Sequence, residues 1–269
     1  MKRQPVTIRA SSFGSLFDCP ARWIAIHLLG KRTPNNVNAL LGTSVHHGTA
    51  AFDTGRLPDH APIKVADAKE VAFKAVMAPE YEVDWEDETP GKVADVAVSL
   101  TERYCTLYAP TVEFVAVEIS VESLLLTDLD IVLTGHTDRV RRIADGRLGI
   151  SDVKTGKQAV GTDGKAKAQG HAAQLGVYEI VAQAGLGVPI EAPAEIIGLQ
   201  SNLTPEKQRI GTAEVEGARD VLLGDDEHTG LLHTAAKLVH GEIEPWGNPK
   251  SMMCHGRYCP NYATCFWRR

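Results

Sequence analysis

Two runs of sequence decide how this chain folds: Asp130-Ile131-Val132-Leu133-Thr134-Gly135-His136-Thr137-Asp138-Arg139 and Arg147-Leu148-Gly149-Ile150-Ser151-Asp152-Val153-Lys154. Both carry β-branched residues and read as strands. Asp145-Gly146 between them suits a tight hairpin turn. The hairpin brings Asp138 near Asp152. Alternate side chains on a strand share a face, so Asp152 and Lys154 point the same way, about 7 Å apart. Two carboxylates held together repel unless a cation lies between them. A hard divalent ion with oxygen ligands, Mg²⁺ or Mn²⁺, suits such a pair. The Lys154 ammonium can then position or deprotonate water, or balance charge building on a phosphate. Taken alone, an Asp followed two residues later by a Lys is equally the pattern of a surface ion pair.

Outward from this hairpin, residues 112–121 alternate polar with apolar and form a preceding strand. Residues 171–184 place Leu175, Tyr178 and Val181 at helical spacing, stopped by Gly185 and Gly187, and residues 194–201 form a fourth strand. Residues 158–169, polar and rich in Gly and Lys, read as a mobile loop. Before the strands the pattern is helical. Ser11-Ser12 offers an N-cap ahead of Phe13, Leu16, Phe17, Ile24 and Leu28. A second helix starts near Asn38 and runs through Leu41, Val45 and His46 to Phe52. Residues 67–77 and 93–108 follow, the latter with Val96, Leu100, Tyr104 and Leu107 on one side. Residues 213–242 read as mostly helical, interrupted near Gly224 and Gly230. This order predicts an α/β fold with a mixed sheet and helices packed on it. One unit over 1–269 is expected: a helical region 1–110, an α/β core 111–205, and a helix with a Cys-rich tail 206–269.

The composition is that of a globular chain, 43% hydrophobic and 23% charged over 269 residues, which excludes collagen, coiled coil and disorder. The apolar stretch 23–29 is broken by His27 and is too short for a bilayer. Met1-Lys2-Arg3 has no apolar run behind it, so no secretory signal is expected. Five cysteines, an odd number, then favour a reducing, cytoplasmic setting in which clustered thiols bind metal. Cys105 falls within the apolar pattern of its helix and is expected in the core.

The net charge is −6, but its distribution is uneven. Residues 139–170 hold eight Lys/Arg against three acids, a net of +5, and residues 246–269 hold four basic side chains and no acid. Such polarity allows a basic face toward phosphate on an acidic chain, although charge runs are also ordinary solvated surface. Arg139, Lys157, Lys165 and Lys167 are phosphate-contact candidates by position and charge. Trp246, Tyr258, Tyr262 and Trp267 suit stacking on bases or packing around the cysteines. No phosphate-binding loop, nucleophile elbow, His-Glu-x-x-His or dinucleotide glycine motif is present, so the chain carries no ATP motor of its own.

Gly135-x-x-Asp138 on one strand and Asp152-x-Lys154 on the next resemble the PD-(D/E)xK nucleases, in the RecB-type exonuclease branch that includes the Cas4 and AddB nuclease domains. Gly42-Thr43-Ser44-Val45-His46 resembles that branch's early helix, whose His binds metal. Gln174-x-x-x-Tyr178 resembles the helix after its active-site strand. Ser12 to Trp23, containing Cys19, resembles its opening helix, and Cys254, Cys259 and Cys265 resemble its tail. The resemblance runs from about Ser12 to Cys265. It implies a restriction-endonuclease-like core, a central mixed sheet flanked by helices. It implies a metal-dependent DNA exonuclease in which Asp138, Asp152, Lys154, Gln174 and Tyr178 are catalytic. His46, Asp138, Asp152 and the Val153 carbonyl would bind Mg²⁺ or Mn²⁺, with His47 an alternative to His46. Glu118, on the preceding strand, is either a supporting acid or ordinary polar alternation. Cys19, Cys254, Cys259 and Cys265 would hold a [4Fe–4S] cluster that clamps the N-terminal helix to the tail. The family's tail more often places two residues between its first two cysteines. Here four separate Cys254 from Cys259, which leaves Zn²⁺ or no metal open, with His255 as a substitute ligand. DNA is the implied partner, with a helicase or recombinase as a further one and no membrane. A non-catalytic DNA-binding adaptor on the same fold is the alternative.

Overall fold

The computed structural model describes residues 4–268. The basic start, Met1 to Arg3, lies outside the described residues. Strand β1 (Val6–Arg9) leads into α1 (Ala10–Asp18) and α2 (Pro20–His27). A two-residue strand, β2 (Asn35–Asn36), precedes α3 (Val37–Thr54), α4 (Val65–Met77), the equally short β3 (Val83–Asp84) and α5 (Pro90–Arg103). Then come β4 (Glu113–Leu126), β5 (Ile131–Arg142), β6 (Leu148–Gly156), α6 (Ala172–Leu186), β7 (Ala194–Gln200), β8 (Ile210–Val215), α7 (Ala218–Leu223) and α8 (Leu231–Val239). The Asn36 side chain accepts a hydrogen bond from Ala39 N–H at 2.9 Å and so caps α3. Gly187, at φ +67°, ends α6.

Six strands form one mixed sheet. β4 is antiparallel to β5, β5 antiparallel to β6, β6 parallel to β7 and β7 antiparallel to β8. β1 runs parallel to the first part of β5. Helices cover both faces. One apolar cluster joins Phe13, Leu16 and Trp23 to Leu133, Ile150, Leu175 and Leu222. The other joins Leu40, Val45, Ala72 and Leu100 to Phe114, Val153, Ile197 and Leu199. The expected α/β architecture is what forms. No helix among the described residues is long and apolar enough to cross a membrane.

The sheet forks beside β5. β1 pairs with residues 131–134 of β5, and β6 pairs with residues 139–142 on that same edge. Gly135 to Asp138 therefore has neither neighbour there. β6 also leaves β5 after the Arg139–Ser151 pair and continues beside β7. Asp138 and Asp152 stand one residue past that last pair, where the strands diverge.

Three sequence expectations are corrected. β1 and β8 are strands that the pattern does not disclose: β1 has four residues, and Ala213 to Val215, expected in a helix, end β8. Residues 104–108 are not α-helix but a π-helical turn that continues α5. The Gly- and Lys-rich loop is not free. Val160 and Ala166 are buried, and Ala166 N–H donates to Thr212 O at 3.3 Å. Gly198 and Gly211 explain how the loop can lie directly on β7 and β8, since a Cβ at either position would strike the loop's backbone.

Candidate active site

Asp138 is buried, and its Oδ2 accepts a hydrogen bond from Val153 N–H at 2.8 Å, bridging the fork where the ladder stops. α3 supplies His46. Its Nε2 lies 2.8 Å from the Val153 carbonyl oxygen. A carbonyl only accepts, so Nε2 carries the proton and Nδ1 is left with its lone pair. That Nδ1 faces Asp138 Oδ2 at 3.5 Å. With the ring neutral, that lone pair and the carboxylate can share a cation. Glu118 completes the arrangement from β4. One ligand atom from each of His46, Glu118 and Asp138 lies within 4.8 Å of the others. Glu118 has φ +52° within a strand, a left-handed conformation that is strained for a side chain with a Cβ. Its carboxyl remains open to solvent, yet the protein around it and then Asp138 push its pKa above the usual carboxylate value. This donor set of one nitrogen and two carboxylates suits a divalent cation.

Asp152 and Lys154 sit beside this group. Lys154 Nζ is 2.6 Å from Asp152 Oδ2. Asp152 is 2% exposed. Burial first, and then the Asp138 charge, raise its pKa, while Lys154 pulls it down. Gln174 Nε2 donates to Tyr178 Oη at 3.0 Å across one turn of α6. Burial and the charges of Asp152 and Asp138 hold the Tyr178 hydroxyl protonated well above its ordinary range. His171, at the start of α6, has its pKa lowered by burial and then by Lys154. A buried carboxylate pair with an ammonium beside it at a sheet fork can hold a cation and receive a phosphodiester.

The sequence matches the model of the PD-(D/E)XK nuclease superfamily over residues 8–266. The chain belongs to this superfamily. No curated protein matches it. A solved structure described as "Crystal structure of SSO0001" is 14% identical over 99% of this chain and 88% of that chain, with a TM-score of 0.42.

For this member of the nuclease superfamily, His46 rather than His47 turns toward Asp138. Three readings of the sequence change. The Val153 carbonyl is shared, because His46 takes one of its two lone pairs. Glu118 belongs with His46 and Asp138. Arg139 cannot contact DNA: it is fully buried, on Asp53. Arg141 is buried too, so the run of basic residues is less of a surface than its charge count implied. Lys157, Lys165 and Lys167 are exposed.

Cys19, Cys254, Cys259 and Cys265 line one cavity together with Arg22, Asn248, Tyr262 and Trp267. Asn248 N–H donates to Cys19 Sγ at 3.4 Å. Burial, and further down Cys19 and Cys265, raise the Cys259 thiol pKa, against the Asn261 N–H and Arg22. Cys105 is buried elsewhere, in the α3–α5 cluster. The sequence missed Thr49, Asp53 and Tyr104, which gather around Arg139. Thr49 and Asp53 carry one signal, helical spacing from His46, and Tyr104 only its place on the apolar side of its own helix.

Proposed function

We propose that this chain is a metal-dependent DNA exonuclease. The reading is carried by the convergence of His46, Glu118 and Asp138 beside Asp152 and Lys154. His46, Glu118 and Asp138 would hold Mg²⁺ or Mn²⁺, which when bound supplies Lewis-acid stabilisation of charge on the scissile phosphate. The chain's own groups do the rest. Asp152 tethers the Lys154 ammonium, whose remaining donors face the charge that develops on the phosphate. Gln174 and Tyr178 form a hydrogen-bonded pair beside them. Exposed Lys157, Lys165 and Lys167 offer backbone contacts to the strand. DNA ends as the substrate, and action beside a helicase or recombinase in a bacterial or phage-infected cytoplasm, follow from the likeness to the RecB-type branch.

The four cysteines fit a [4Fe–4S] cluster. A tetrahedral Zn²⁺ site brings its sulfurs to about 3.8 Å from each other. A [4Fe–4S] cluster instead takes one thiolate at each iron, and the likeness to the branch's tail is what favours it over Zn²⁺. A cluster there would tie α1 and α2 to the tail and add its binding energy to folding.

The test is an anaerobic preparation with an iron assay and absorption spectrum, then digestion of end-labelled linear and covalently closed circular DNA with Mg²⁺ or Mn²⁺. Linear DNA is expected to be shortened from its ends, circles to survive, and EDTA to stop the reaction. Digestion that continues in EDTA, or binding without cleavage in either metal, would overturn the reading.

A further inference from the structure

We propose that Arg139 is a positioning residue for the metal site, fixing helix α3, and with it His46, against Asp138 on β5. This rests on reading His46, Glu118 and Asp138 as holders of a divalent cation.

The guanidinium is 0% exposed. Its Nε donates to Asp53 Oδ2 at 2.7 Å and its Nη2 to Thr49 Oγ1 at 2.8 Å. Tyr104 Oη donates to the same Asp53 oxygen at 2.6 Å. The rings of Tyr104 and Phe114 lie 5.4 and 6.0 Å from the guanidinium carbon. His46, Thr49 and Asp53 share one face of α3, at spacings of three and four residues. Arg139 directly follows Asp138 in β5. One fork thus grips α3 one and two turns beyond the histidine and is anchored beside the carboxylate that the histidine faces.

Apolar packing ties α3 to the strands flanking β5, through Phe114 of β4 and Val153 of β6, rather than to β5 itself. The buried apolar side chains of α3 belong to one cluster, and Ile131, Leu133 and Val140 of β5 belong to the other. A fully buried ion pair is also a poor source of stability, because its desolvation offsets its attraction. What it supplies is geometry, since a planar fork fixes two partners at set angles where a lysine would supply one point charge. The third nitrogen supports the assignment. Arg139 Nη1 is buried without a hydrogen-bond partner and stands 3.9 Å from Asp138 Oδ2. It stands toward the same oxygen that Val153 N–H and His46 Nδ1 approach, so one guanidinium reaches both the α3 face and the carboxylate.

The experiment measures Mn²⁺ affinity by EPR, and folding by calorimetry, in the wild type, in the double variant D53N/R139M and in R139K. The double variant removes both charges together, so neither Asp53 nor Arg139 is left as a lone buried charge. It is expected to unfold cooperatively and to bind Mn²⁺ about tenfold more weakly, with R139K in between. Wild-type affinity in the folded double variant would overturn the proposal. If that variant does not fold, wild-type affinity in R139K, which keeps the buried charge paired, does the same. Should the wild type bind no Mn²⁺, the metal reading itself falls, and this inference with it.

Discussion

At the sheet fork, regular backbone and buried polar contacts hold every group in place: β5 and β6 by their ladder, Asp138 by Val153 N–H, α3 by Arg139. The corner around Cys19 is made otherwise. Beyond Val239 the described chain has turns and short 3₁₀ segments, and Cys259 is the one buried hydrophobic side chain among those described. Met252 is 92% exposed there. The fork's geometry rests on contacts within the chain. The cysteine corner has four thiols facing one cavity and little apolar burial beside them, so under the proposed cluster its order would rest on the metal.

The two corners should therefore fail differently. Lys154→Ala is expected to slow DNA cleavage about a thousandfold and leave the iron content that of the parent, while the melting temperature falls only as far as the unpaired Asp152 costs. Single-turnover digestion, an iron assay and calorimetry read these, and a parent-like cleavage rate would break the contrast at its catalytic end. Cys19→Ala should do the reverse, lowering the melting temperature by on the order of 10 °C and the iron content with it, while residual folded protein still binds Mn²⁺. Unchanged melting and metal content would show that the thiols clamp nothing.

A third change probes burial away from both corners. Glu179 on α6 is buried 4.0 Å from Arg219, and its carboxyl is pushed from 4.5 up to about 7 by burial, against Arg219. The folded protein keeps a proton that the unfolded chain releases, so this group favours folding at acid pH. That support is lost as pH climbs from 4.5 through 7, by at most about 3 kcal/mol. Glu179→Gln should flatten the stability curve between pH 5 and 8, and parallel curves for the two proteins would refute the burial argument. Smallest is Tyr104→Phe, which removes one donor from Asp53 but leaves Arg139 in place. Denaturant titration should show a loss of about 2 kcal/mol, with Mn²⁺ binding kept. A large loss of Mn²⁺ affinity would mean that the phenol, rather than the guanidinium, sets α3.

How legible the site was depended on sequence distance. Asp138, Asp152 and Lys154 stand on adjacent strands of one hairpin, so period-two alternation and a turn were enough to bring them together. Glu118 lies on the same sheet, but its part depends on a left-handed residue inside β4, and alternation does not encode that. Arg139 misled for a related reason. In sequence it is one basic residue in a basic run, and only the third dimension supplies Asp53, eighty-six residues away, to neutralise it.

By itself, the sequence determined the α/β order, the hairpin carrying the acids and the lysine, and the helix carrying His46, because local periodicity and turn chemistry act over a few residues. Tertiary structure alone decided that the sheet forks at Asp138, that Glu118 joins the site, that Arg139 is buried, and that four cysteines spread over most of the chain face one cavity. Those facts depend on which distant surfaces exclude water from each other, and no short-range pattern records that.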